Sequence, residues 1–194
     1  MLLTALLIGG YIVGSIPFGY LVARARGIDI LQFGSGNIGA TNVYRALGKW
    51  LGLLVFLLDV SKGMVPAAIA YSVTSSQGAA FSVGMAAVVG HCLSPFLKFK
   101  GGKGIATGLG AVFGSAPFVA LGAFGIFLVM IVITRYVSLS SLVATAFIVP
   151  LGIIFHIDPN VNWALGLLTL FVLYRHVPNI KRLLAGSEPK FSLR

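Results

Sequence analysis

Residues able to hold and transfer phosphorylated anions fall in three separate stretches of this 194-residue chain. The first, Gly34-Ser35-Gly36-Asn37-Ile38-Gly39-Ala40-Thr41-Asn42-Val43-Tyr44-Arg45, crowds glycines and small polar side chains ahead of a cation. Glycines let consecutive backbone N–H groups converge on one anion, and an arginine can grip phosphate through two parallel hydrogen bonds. The first six residues match G-x-G-x-x-G, yet a dinucleotide site needs a strand before and a helix after within a βαβ unit, and apolar runs flank this loop instead. A flexible turn is the plainer reading; the Ser, Asn, Thr and Asn among the glycines exceed what a turn requires. The second stretch, Phe99-Lys100-Gly101-Gly102-Lys103-Gly104-Ile105-Ala106-Thr107, leads directly into an apolar run. The positive end of a helix there would face an anion beside Lys103. It is not a Walker A loop, because Gly104 stands where Ser or Thr must follow the lysine. The third, Arg175-His176-Val177-Pro178-Asn179-Ile180-Lys181-Arg182, supplies a histidine able to act as base or phosphate donor near neutral pH, or simply to cap a helix.

What the chain lacks narrows the chemistry. Its only acids are Asp29, Asp59, Asp158 and Glu188. Asp59 and Lys62 lie three apart in an apolar run, hence on one helix face, and are read as a structural ion pair. A serine, histidine and acid triad is not expected. The acyltransferase signature of histidine with aspartate five residues on is absent, since Phe96, Val161 and Lys181 fill those positions. Any acyl transfer must therefore use a donor that is already activated. His91, His156 and His176, with Cys92 and the four acids, contain no pair at metal-ligand spacing, so neither a metal nor a cofactor is expected. Cys92 reads as packing.

The elements that must position these residues are membrane helices. A composition of 58% hydrophobic and 9% charged residues, with a mean hydropathy of +1.00, does not fold into a soluble globule. The expected fold is an all-α, polytopic integral membrane protein, a single membrane-embedded domain over residues 1–194. About 20 apolar residues cross a bilayer, and runs at 2–23, 51–71 and 79–97 satisfy this. The run 105–134 is too long for one crossing and is interrupted by Gly114-Ser115-Ala116-Pro117, where proline breaks the helix; it divides into two spans, the first short. Runs at 139–155 and 161–174, separated by a polar turn, bring the total to seven. The first run lacks a basic lead and a clear cleavage site, so a retained span is expected.

Charge supports that count. Lysine and arginine accumulate in cytoplasmic loops, and seven spans put Arg24, Arg26, Arg45, Lys49, Lys98, Lys100, Lys103, Arg135, Arg175, Lys181, Arg182, Lys190 and Arg194 on one side. Loops at 74–77, 114–117 and 156–160 contain no lysine or arginine. The N-terminus is then outside and the C-terminus cytoplasmic, with His91 near the cytoplasmic face and His156 opposite. The net charge of +10 follows from this rule and from anionic headgroups, not from nucleic acid.

Gly34 to Arg45, Gly90-His91 through Thr107, and Arg175 through Leu183 to Gly186-Ser187-Glu188 together resemble the three cytoplasmic motifs of the bacterial acyl-phosphate:glycerol-3-phosphate acyltransferases, the PlsY family. All three occur in order, and the apolar remainder, including Leu58-Asp59-Val60-Ser61-Lys62-Gly63, is similar over essentially the whole chain. One departure is visible: the family pattern of histidine, any residue, phenylalanine, proline reads here His91-Cys92-Leu93-Ser94-Pro95, displacing the proline by one. The resemblance implies transfer of a fatty acyl group from acyl phosphate to the primary hydroxyl of sn-glycerol 3-phosphate, giving lysophosphatidic acid and inorganic phosphate at the start of phospholipid synthesis. It places the enzyme in the bacterial inner membrane with its site facing the cytoplasm. Ser35, Gly36, Asn37, Gly39, Thr41 and Asn42 would cradle one phosphate, and Arg45 and Lys103 would hold the acceptor's phosphate. His176 and Asn179 would orient hydroxyl and carbonyl, with Ser141 a further member. Either His176 or a substrate phosphate could take the proton. The implied partners are the two substrates and membrane lipids, and the sequence is compatible with a monomer. The competing reading, a transporter of phosphate-containing solutes, requires polar groups continuing through the membrane, and beyond Asp59 and Lys62 the spans are apolar.

Overall fold

The computed structural model describes residues 1–192 and is helical throughout, with no strand among the described residues. Arg194, the last of the expected tail cations, lies outside them. By its internal contacts the chain divides into two compact units, Met1–Ser115 and the remainder from Ala116.

The first unit contains α1 (Leu2–Ser15), α2 (Phe18–Arg24), α3 (Ala40–Leu47), α4 (Lys49–Thr74), α5 (Gln77–Cys92), a 3-10 turn (Pro95–Leu97) and α6 (Ile105–Ser115). α4 packs against α1, α3, α5 and α6, and α5 against α1 and α6. Between lipid-embedded helices water offers no hydrophobic drive, so close backbone approach through small residues holds them together. Gly63 of α4 lies where a side chain would strike the Thr107 carbonyl of α6, and Gly110 of α6 lies where one would strike the Val60 carbonyl of α4. Each helix thus seats its backbone in a notch cut by the other's glycine.

The second unit contains α7 (Pro117–Thr134), α8 (Val137–Ala146), α9 (Ile148–Ile154), α10 (Pro159–Arg175) and α11 (Val177–Leu184). α7 packs on α8 and α9, α10 on α8 and α9, and α11 on α8. Asp158 caps α10, its carboxylate accepting from Asn160 N at 2.7 Å, with Pro159 at the first helical position, where its missing N–H costs nothing.

Among the described residues five segments are long and apolar enough to cross a membrane: Leu2–Arg24, Lys49–Thr74, Gln77–Leu97, Pro117–Thr134 and Val137–Ile154. α6, with 11 residues, and α10, with 17, are shorter. The break expected ahead of Pro117 is present, for α6 stops at Ser115 and α7 starts at Pro117. Two runs expected to be continuous are not. Run 2–23 breaks at Ile16-Pro17, where proline disfavours helix at the residue before it. Run 139–155 turns at Phe147 between α8 and α9, because Pro150 cannot donate to the carbonyl four residues back.

Candidate active site

In the first unit the glycine-rich stretch divides into a loop and a helix start. Gly34 and Gly36 take φ of +57° and +66°, a left-handed conformation that favours glycine. Asn42 organises the loop from within. Only 2% exposed, it donates through Nδ2 to the carbonyls of Phe33 and Asn37, both at 2.9 Å, and of Ile30 at 3.3 Å; its Oδ1 accepts from Ser35 N at 3.2 Å. Asn37 Oδ1 accepts from Gly39 N at 2.8 Å, fixing the residue before α3. Gly39, Thr41 and Arg45 are half-buried around α3, and Ser35 is exposed. Asn42 therefore spends its carboxamide on the loop backbone, holding that backbone in shape.

Beneath this loop lies a small apolar cluster of Ala23, Ile30, Ile38, Val43, Val55 and Leu97. Leu97 belongs to the 3-10 turn that opens the second cationic stretch, so one patch of core anchors both loops. That second loop folds back on the end of α5: Gly101 N donates to Cys92 O at 3.0 Å and Gly102 N to His91 O at 3.1 Å. Lys103 follows, half-buried, two residues before α6. The displaced proline is absorbed locally. α5 ends at Cys92, the 3-10 turn starts at Pro95, and between them Ser94 Oγ donates to Ser15 O at 2.6 Å.

The expected pair inside α4 is formed, with Lys62 Nζ 2.7 Å from Asp59 Oδ1 and both side chains 2% exposed.

In the second unit His176 joins α10 to α11 and is 3% exposed. Its Nδ1 sits 2.9 Å from Val172 O. A carbonyl can only accept, so Nδ1 carries the proton and a neutral His176 has its lone pair on Nε2. Ser141 of α8 is buried. Asn179 of α11 is 5% exposed and donates through Nδ2 to Glu188 Oε1 at 2.7 Å, while Arg182 Nε donates to Glu188 Oε2 at 2.7 Å. Farther along, Phe191 N meets Arg135 O at 2.6 Å, tying the descending chain to the turn before α8.

Glu188 is the residue that spacing arguments pass over, since it lies beyond α11 after a glycine turn. The available signal was the resemblance, whose third motif includes Glu188 without giving it a role. Burial by itself would raise the Glu188 carboxyl, but donors from Ser138, Asn179 and Arg182, together with the Arg182 charge, outweigh it and hold the group below the usual carboxylate range. A depressed folded value means that the stability Glu188 adds is complete above the ordinary value of 4.5 and fades as pH falls through the lower folded value. We expect α11 to loosen in that acid window, followed by amide hydrogen exchange, and Glu188→Gln to remove the dependence while costing about 2 kcal/mol at neutral pH. An unchanged acid profile in Glu188→Gln would contradict this.

Residues 4–186 match the family described as glycerol-3-phosphate acyltransferase. Proteins of that name from Trichlorobacter lovleyi and Aquifex aeolicus are each 44% identical to this chain, over 94% of both chains in the first case and over 96% of this chain and 97% of the relative in the second. The crystal structure of PlsY (YgiH), an integral membrane glycerol 3-phosphate acyltransferase, in its glycerol 3-phosphate form, superposes with a TM-score of 0.94 at 43% identity, covering 99% of this chain and 96% of that one. Its lysophosphatidic acid form gives 0.92 at 42% identity, covering 100% and 97%.

Proposed function

From the premise that this chain belongs to the glycerol-3-phosphate acyltransferase family, we propose that it moves a fatty acyl group from acyl phosphate to the 1-hydroxyl of sn-glycerol 3-phosphate. The products are lysophosphatidic acid and inorganic phosphate. The hydroxyl oxygen bonds to the acyl carbon and gives up its proton to His176 Nε2 or to a substrate phosphate, the bond from that carbon to the phosphate oxygen breaks, and phosphate leaves with the electron pair. Because the donor is activated, the protein's task is to hold two anions in register and offset the charge that develops on the carbonyl oxygen.

The observation that carries this reading is the pair of loops in the first unit, each presenting glycine backbone beside cationic side chains, moored to a single apolar cluster. In it Ser35, Gly36, Asn37, Gly39 and Thr41 cradle one phosphate in a loop that Asn42 holds open, and Arg45 and Lys103 bind the acceptor's phosphate. His176, with Nε2 as acceptor, orients the attacking hydroxyl, and Asn179, held by Glu188, serves the same reaction with Ser141. The two units work as one acyltransferase domain over residues 1–194. The glycerol 3-phosphate and lysophosphatidic acid forms of the PlsY structures support the choice of acceptor and product.

The protein is a multi-pass membrane enzyme. We assign seven crossings by adding α6 and α10 to the five long segments, with the N-terminus outside and the site facing the cytoplasm of a bacterial inner membrane. Loops at 74–77, 114–117 and 156–160, devoid of lysine and arginine, support this orientation.

Purified protein in lipid vesicles, given acyl phosphate and labelled glycerol 3-phosphate, should form lysophosphatidic acid and release phosphate in equal amounts. Acyl-CoA in place of acyl phosphate should give no product. Equal rates with both donors would overturn the assigned donor, and transport of glycerol 3-phosphate without chemistry would overturn the reaction itself.

A further inference from the structure

Charged groups inside a membrane helix are expensive, and a buried ion pair can commonly be replaced by apolar residues without loss of stability. Asp59 and Lys62 therefore call for a reason beyond cohesion, and their neighbours supply one. The Lys62 ammonium has two oxygen partners: Asp59 Oδ1 at 2.7 Å and the carbonyl of Ile16 at 2.8 Å, at the break between α1 and α2. The Phe18 ring lies 5.5 Å away. This fixes one edge of the Asp59 carboxylate, and His91 Nδ1 stands 3.8 Å from the same Oδ1 with its ring 4% exposed. The opposite edge of that ring faces the second cationic loop. Gly102 is packed so closely on His91 Nε2 that a side chain at 102 would collide with it, and the Gly102 N–H bonds to the His91 carbonyl.

We propose that Asp59, Lys62 and His91 form a buried strut that sets the position of the Lys103 loop, making Asp59 and His91 positioning residues for the acceptor's phosphate. Ile16 at one end and Gly102 at the other are the strut's contacts, and Lys103 is the next residue along the chain. This rests on the reading of Lys103 as a phosphate ligand. The imidazole acts as a rigid spacer, packed between the carboxylate, whose Oδ1 lies 3.8 Å from Nδ1 and beyond hydrogen-bond reach, and the loop backbone at Gly102. Displacement of Lys103 by a fraction of an ångström would weaken its grip on glycerol 3-phosphate without touching the acyl donor.

The test is steady-state kinetics on the full chain in lipid vesicles, with folding checked by size-exclusion elution and thermal melting. His91→Gln and Asp59→Asn should each raise KM for glycerol 3-phosphate about tenfold, with kcat within about twofold and KM for acyl phosphate unchanged. The paired replacement Asp59→Leu with Lys62→Met removes both charges and should stay folded, yet show the same rise in KM; it decides the matter should Asp59→Asn prove unstable. Folded variants with wild-type KM for glycerol 3-phosphate, or equal losses for both substrates, would overturn the strut. Lys103→Ala run alongside separates the two layers: wild-type kinetics there would remove the ligand assignment itself, whereas a raised KM there beside unaffected His91 and Asp59 variants would remove only the strut.

Discussion

Arg45→Ala should lower kcat/KM for acyl transfer by about 10²- to 10³-fold, the loss that follows removal of one prepositioned donor from a charge-stabilising site. The protein should remain folded. Arg45 lies in the last turn of α3 and is half-buried, while the helix is anchored by other residues: Val43, 0% exposed, in the apolar cluster, and Asn42 in the loop. Lysine at position 45 should restore only part of the activity, because it brings charge without the planar fork that matches two phosphate oxygens. Initial rates with acyl phosphate and glycerol 3-phosphate, beside melting curves, check this. An Arg45→Ala enzyme that is folded and fully active would remove Arg45 from the site.

The second large effect concerns folding. In Gly110→Leu the new side chain is aimed at the Val60 carbonyl, a backbone atom that cannot swing aside. We expect this variant not to accumulate as a monodisperse protein in detergent. Gly110→Ala already sets its Cβ against the same carbonyl, so it should cost about 3 kcal/mol or more, the upper end of overpacking penalties, seen as a lower melting temperature. Activity should fall with it, because α6 starts two residues after Lys103 and any parting of α6 from α4 carries that lysine away. A Gly110→Leu protein as stable as the parent would show that the glycine notch is not what holds these helices.

Composition and proline placement made the helical membrane fold legible, down to the break before Pro117. Helix length was harder to read. Hydropathy sees run 2–23 as continuous, although Ile16-Pro17 carried the signal for the break that frees the Ile16 carbonyl for Lys62. The polar helices α3 and α11 were hidden because their residues read as loop: α3 starts inside the glycine-rich stretch, and α11 starts at Val177 with Pro178 in its first turn, a proline that opens a helix instead of ending one. Residue types at the candidate site were plain from the sequence, but the division of labour was not. Nothing in the spacing says that Asn42 serves its own loop, or that Asn179 is held by an acid nine residues away. Such pairings depend on how the chain doubles back, which local periodicity does not record.

The Lys62 ammonium also implies an order of biogenesis. As α4 leaves the insertion machinery it brings Asp59 along, so the pair enters lipid with no net charge, but the second oxygen that Lys62 requires belongs to the α1–α2 break. The first span must already be waiting in the bilayer when α4 arrives. Synthesis from the N-terminus delivers the segments in that sequence, and a circularly permuted gene that released α4 first would leave a cation half-solvated in hydrocarbon until its partner came.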